Sequence, residues 1–218
     1  LSLKVNWVKS KIENKIFLII LFLISVLISF FIVKYTSVDI LFYTFLISGA
    51  FYLFFTTIKE LLSKKFNSFS QAISHFGFSL LILSILFNNI LSSEIITNIK
   101  VGEKYSYEKN EIFFEKIEKE KNDNFNSLIG YFKIKDEKGK VTRLKPELRV
   151  YNQPIIITSE ADIKTTFLED KFLVMNIVKD SEYFNIRYQI KPFMVWIWIS
   201  VLLISLGGLI SFFKKTYE

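Results

Sequence analysis

Apolar and polar positions are not spread evenly along this chain. Four uninterrupted blocks, residues 16–33, 40–58, 71–91 and 193–213, contain no Lys, Arg, Asp or Glu. A helix rising about 1.5 Å per residue needs about 20 such residues to cross about 30 Å of hydrocarbon, so each block predicts a transmembrane helix. The first block follows Lys4, Lys9, Lys11 and Lys15 as the core of a signal peptide would. Its apolar run is too long for that role, and no small-residue cleavage site follows it. Between the third and fourth blocks the pattern changes to polar alternation with β-branched and aromatic residues, which predicts strands. Candidate strands are 95–100, 110–118, 127–135, 140–145, 171–178 and 183–190. The clearest hairpin joins LIGYFKIK to KVTRL through Asp136-Glu137-Lys138-Gly139, where glycine supplies the positive φ of a short turn. The predicted fold is four transmembrane α-helices with an all-β extramembrane domain, a small barrel or sandwich, over residues 93–192 between helices 3 and 4. Around it stand a basic segment 1–15, three helices within 16–92, helix 4 at 193–213 and a tail at 214–218.

Composition supports the membrane reading: 51% of the 218 residues are hydrophobic, 24 are Phe, and mean hydropathy is +0.34. Cys is absent, which excludes disulfides, thiolate metal sites and a Cys nucleophile. Of the ten Lys and Arg outside residues 93–192, nine fall on one side if both termini are inside, with Lys34 alone outside; the positive-inside rule then places the β domain on the outer side. Residues 93–192 hold 18 Lys and Arg against 17 Asp and Glu. Of the net charge of +7, that leaves +1 in the β domain and +6 in the membrane part and its flanks, and no nucleic-acid surface is expected.

No phosphate loop or nucleophile elbow occurs, and no His lies outside the membrane blocks, so no catalytic residue is assigned. The run Glu115 to Lys121 reads as a solvated strand end or loop. Glu160 and Asp162, two apart on a strand, would share one face, too little for acid–base chemistry. His75, the single His, lies within an apolar block, where ionisable groups face the protein interior and serve a function. At 100° per residue its face carries Gln71, Phe78, Ser79, Ile82 and Leu86, and Gln71 and Ser79 are placed to orient the imidazole. Gly77 and Ser84, on the opposite face, suit a close helix neighbour. Two roles stay open for His75: a hydrogen bond across a helix interface, or axial ligation of haem iron. Trp196 and Trp198 read as headgroup-level anchors, and Gly207-Gly208 as a packing site.

Four motifs go beyond these patterns. Lys191-Pro-Phe-Met-Val-Trp-Ile-Trp with the later Leu206-Gly-Gly-Leu, Leu144-Lys-Pro-Glu-Leu-Arg-Val-Tyr-Asn-Gln, Ser159-Glu-Ala-Asp-Ile and Ser74-His75-Phe-Gly resemble, in order, segments of the cytochrome c-type biogenesis family CcmF. The resemblance covers about residues 40–218, the carboxy-terminal part only. Leu148 departs from it, replacing a residue often basic in the family. The resemblance implies a subunit of the membrane haem lyase that receives haem from a CcmE-type chaperone and attaches it, with CcmH-type thiol partners, to apocytochrome c. It also implies haem b held by two transmembrane histidines, His75 matching the second, with the other supplied by an amino-terminal CcmF portion outside this chain. Membrane lipid is a further partner. The implied location is the bacterial inner membrane with the β domain in the periplasm, or the mitochondrial inner membrane. The alternative function is a non-catalytic membrane scaffold whose outer β domain binds a partner.

Overall fold

The computed structural model describes residues 15–63 and 69–216. The basic segment 1–14, Lys64 and Lys65, and the last two tail residues lie outside the described residues. The chain divides into two units, Leu1–Ile90 with Trp196–Glu218, and Leu91–Val195.

Four helices, α1 (Lys15–Lys34), α2 (Ile40–Ser63), α3 (Phe69–Leu91) and α4 (Met194–Thr216), realise the four apolar blocks, and each is long and apolar enough to span a bilayer. Helix α1 at both ends, α2 and α4 at their C-terminal ends and α3 at its N-terminal end run past the predicted limits, because a helix continues through the interface, where charged residues reach water. Asp39 caps α2, its carboxylate accepting the Phe42 N–H at 2.7 Å and satisfying one of the amides left open at a helix start. The hydroxyls of Ser25 and Ser29, buried in α1, donate to the carbonyls one turn back, Leu21 at 2.8 Å and Ser25 at 2.7 Å. Each polar group is thus satisfied without a partner from outside the helix. Against α2, the Phe22 ring meets Tyr52 edge-on at 5.9 Å, and Lys59 Nζ lies 3.7 Å from the Phe17 ring centroid.

The unit from Leu91 to Val195 carries ten strands. One sheet has the order β1-β10-β9-β8, where β1 is Ser93–Lys100, β8 Asp162–Thr165, β9 Glu169–Ile177 and β10 Tyr183–Pro192. The second has the order β2-β3-β4-β6-β7, with β5 also paired to β4; its strands are β2 Lys104–Tyr107, β3 Asn110–Lys121, β4 Phe125–Asp136, β5 Val141–Leu144, β6 Glu147–Asn152 and β7 Ile155–Glu160. All pairings are antiparallel. Alternating residues of both sheets form one core including Ile112, Phe114, Phe132, Leu173, Met175 and Ile186. Phe114 and Phe132, neighbours across β3 and β4, stack at 4.1 Å. Just past Phe114 the register shifts at Glu115, a bulge that gives β3 one extra residue against β4. Gly130 of β4 lets the opposing sheet come close: a Cβ there would stand 2.7 Å from Met175 Sδ of β9.

The predicted hairpin forms as expected. Gly139 has φ +78°, its N–H donates to the Asp136 carbonyl at 2.9 Å, and the Asp136 N–H donates to Lys140 at 3.1 Å. Strands β2, β6, β7 and β8 were not among the predicted ones. Glu160 and Asp162 require a correction: the chain leaves β7 at Ala161, so Glu160 pairs opposite Glu147 in one sheet and Asp162 opposite Leu173 in the other. They share no strand face.

Candidate functional site

His75 lies near the start of α3, whose surroundings differ in three directions. Toward α2, the Phe76 ring stacks on Phe54 at 5.5 Å, and the buried Ser79 hydroxyl lies 3.2 Å from that of Thr57. The same Ser79 hydroxyl donates to the Phe76 carbonyl at 2.9 Å. Ser79 is thereby occupied by an interhelical contact and its own turn, and the role of orienting the imidazole is not what its hydrogen bonds serve.

Toward α4, glycines set the distance. A Cβ on Gly77 would meet Leu203 Cβ at 2.9 Å and the Ile204 nitrogen at 3.0 Å. A Cβ on Gly207 would come within 2.7 Å of the Ser70 carbonyl oxygen and 2.9 Å of the Ser74 nitrogen. Helices α3 and α4 therefore touch backbone to backbone just beside His75, as small residues allow in membrane packing. The two glycines of the predicted packing site divide: Gly207 makes the contact, while Gly208 has open space around its Cβ position.

The third direction is open. Gln71, Phe78 (52% exposed) and Ile85 (49%) form a face of α3 that the other described helices leave uncovered. His75 is half-buried at the border of that face, and no hydrogen bond to another described residue holds its imidazole. An imidazole on an apolar, open helix face, without a competing partner among the described residues, suits a ligand or helix that approaches from outside these four helices. A planar, largely apolar macrocycle fits that face, because Phe78 and Ile85 supply apolar surface on the same side. In the fourth helix, Trp198 is 66% exposed and Trp196 half-buried.

The β domain assembles no second centre. Among the described residues no group of three or more His, Cys, Asp or Glu is placed to hold a metal ion. Glu94 is drawn below the usual carboxylate range by hydrogen bonds from Arg187, 3.0 Å away, and from Gln189. These three side chains tie β1 to β10 on the exposed face. Glu118 is lowered in the same way by Lys116 and Tyr131, and the charged run from Glu115 to Lys121 forms the end of β3, exposed from Lys119 on. Asp162 is structural, its carboxylate accepting the Lys145 N–H at 2.6 Å.

Comparison with known proteins agrees with this architecture. Residues 90–192 match the family model described as CcmF C-terminal beta-sandwich. The chain is 26% identical over 148 residues to the cytochrome c-type biogenesis protein ccl1 of Rhodobacter capsulatus, covering 68% of this chain and 23% of that protein. It is 26% identical to CcmF of Pseudomonas fluorescens, with coverage of 67% and 22%, and 22% identical to NrfE of Haemophilus influenzae, with coverage of 77% and 27%. It thus spans about a quarter of the length of these curated relatives. The solved structure of the cytochrome c heme lyase CcmF superposes with a TM-score of 0.68 at 15% identity, over 94% of this chain and 35% of that one, a likeness of fold. The resemblance to the carboxy-terminal part of CcmF is borne out over the β-sandwich of residues 90–192, next to four helices long and apolar enough to cross a membrane.

Proposed function

We propose that this chain is the carboxy-terminal piece of a membrane haem lyase and that it contributes one axial imidazole, His75, to a haem b whose second ligand comes from an amino-terminal CcmF portion. The observation that carries the reading is the half-buried imidazole at the edge of an apolar helix face that the described helices leave uncovered. In a bilayer an ionisable side chain at such a place calls for a partner, and no described residue hydrogen-bonds its imidazole. A haem held there supplies a redox-active iron whose potential depends on its axial ligands and burial.

The residues of this chain then have defined tasks. His75 would hold the group through a ring nitrogen, Phe78 and Ile85 would pack against its flat apolar surface, and the Gly77 and Gly207 contacts fix the turn of α3 that carries the imidazole. The thioether-forming step uses thiols of the apocytochrome and of a CcmH-type partner, since this chain has no Cys, and the transferred haem arrives as cargo from a CcmE-type chaperone. The lysine bias supports both termini inside and the β domain outside, which in a bacterium is the periplasm.

The test is His75→Ala in the chain produced together with its amino-terminal counterpart. Loss of the low-spin haem b absorption, with α3 still inserted because Ala is well tolerated in a membrane helix, is the expected result. An unaltered haem spectrum would assign His75 to packing and return the chain to the scaffold alternative.

A further inference from the structure

The turn between β8 and β9 presents Phe167 and Leu168, each 61% exposed, side by side at its tip. Turn tips ordinarily carry Gly, Asn, Asp, Ser or Pro; two large apolar residues there, each mostly exposed, leave apolar surface in water at a cost in free energy. The turn is also firmly built. Thr166 and Glu169 close it with a backbone bond of 2.9 Å and with the Thr166 hydroxyl donating to the Glu169 carbonyl at 2.7 Å and accepting the Glu169 N–H at 3.2 Å. The tip is therefore held out by the fold.

Its position within the β unit is fixed by one bond. The Phe193 N–H donates to the Leu168 carbonyl at 2.8 Å, and Phe193 immediately precedes Met194, the first residue of the spanning helix α4. Phe193 adopts φ +61°, the left-handed conformation that a residue with a Cβ rarely takes, as the chain turns from strand to helix. The same end of the sheet holds Ser93, two residues after α3 ends, paired with Ile190. The apolar tip thus stands at the edge of the sheet where the chain leaves and re-enters the membrane.

We infer that the Phe167-Leu168 turn is an interfacial anchor that inserts into the headgroup and upper acyl region of the bilayer. Continuity with α4 commits the tip to lipid as its occupant: a group bonded to the residue before a spanning helix lies at the level where aromatic and apolar side chains gather at membrane surfaces. The anchor gives the β domain a third attachment to the membrane beside its two covalent ones, a role separate from haem ligation.

Because the chain has no Cys, single-site labelling needs no background removal. Phe167→Cys and, independently, Leu168→Cys are labelled with a nitroxide in the full chain reconstituted into phosphatidylethanolamine and phosphatidylglycerol vesicles. Lys179→Cys is the reference, in the exposed β9–β10 turn at the opposite end of the same strands, about 30 Å away at about 3.3 Å per residue. Power saturation by oxygen and by a water-soluble nickel chelate reads depth. The expected result is an oxygen-to-nickel accessibility ratio several-fold higher at both tip positions than at residue 179. Ratios equal to that of the reference would place the tip in water, overturn the anchor, and leave a protein partner as its occupant. The readout requires no haem, so its failure and a failure of the His75 reading are distinguishable.

Discussion

Replacing Gly207 by Ala adds one methyl group, and its consequence follows from two distances. The new Cβ would stand 2.7 Å from the Ser70 carbonyl oxygen and 2.9 Å from the Ser74 nitrogen. Both are backbone atoms, so no side-chain rotation relieves the overlap, and α4 must move away from α3. Overpacking of this kind typically costs about 1–3 kcal/mol. Against it stands the better helix propensity of Ala, about 0.8–1.0 kcal/mol relative to Gly in a helix interior. Gly208→Ala supplies the control: the same exchange, one residue on, with open space at the Cβ position. The propensity gain is common to both and cancels in their difference, so Gly208→Ala is expected to be the more stable variant by about the 1–3 kcal/mol of the clash. Unfolding by SDS titration from mild detergent micelles, followed through the fluorescence of the chain's three tryptophans, measures the gap. Equal midpoints, or a more stable Gly207→Ala, would refute the backbone-to-backbone contact of α3 and α4.

Two further outcomes are expected in the β domain. Phe132→Ala removes a ring that is 1% exposed and stacked on Phe114, and a loss of about 3–5 kcal/mol is expected in the urea unfolding of the sandwich; a loss under about 1 kcal/mol, the scale of Ile→Val, would show that the core closes over the gap. Burial holds the Asp170 carboxyl above the usual range, and one of its oxygens has no hydrogen-bond partner among the described residues. The folded state thus binds the proton more tightly than the unfolded chain, and stability is lost as pH rises through the folded-state value. Asp170→Asn removes that loss: the variant should exceed the parent near pH 7 and the two should converge toward about pH 4, the ordinary carboxylate range, while a constant difference in urea midpoint would remove burial as the cause.

The sequence exposes the parts of this protein whose signal is local. Each membrane helix announces itself by an unbroken apolar run, and strands β3, β4, β5, β9 and β10 by alternation over a buried face. Strands β2, β5 and β8 are each only four residues long; of these only β5 was foreseen, because a Gly-containing turn marks its start. Strand β7 carries Ile155, Ile156 and Ile157 with all three exposed, so its apolar run has no alternation to read. The split of Glu160 from Asp162 depends on a change of sheet at Ala161 that spacing along the chain cannot encode. At the candidate site the polar periodicity located His75, Gln71 and Ser79 on one side of α3. That Thr57 of α2 claims Ser79, and that Gly207 contacts the backbone at Ser74 while Gly208 does not, are pairings between distant helices and follow from tertiary packing alone.

The pairing of Ser93 with Ile190 gives the β domain an unusual mechanical character. Its first and last strands are adjacent and both are anchored at the same end, the end joined to the membrane helices. A force that separated α3 from α4 laterally would load the β1–β10 ladder at its terminal pair and peel it open bond by bond, the weak direction of a sheet, instead of shearing all its hydrogen bonds together. Within the sandwich, such a load would be felt first at Ser93 and Ile190, and only afterwards in the core.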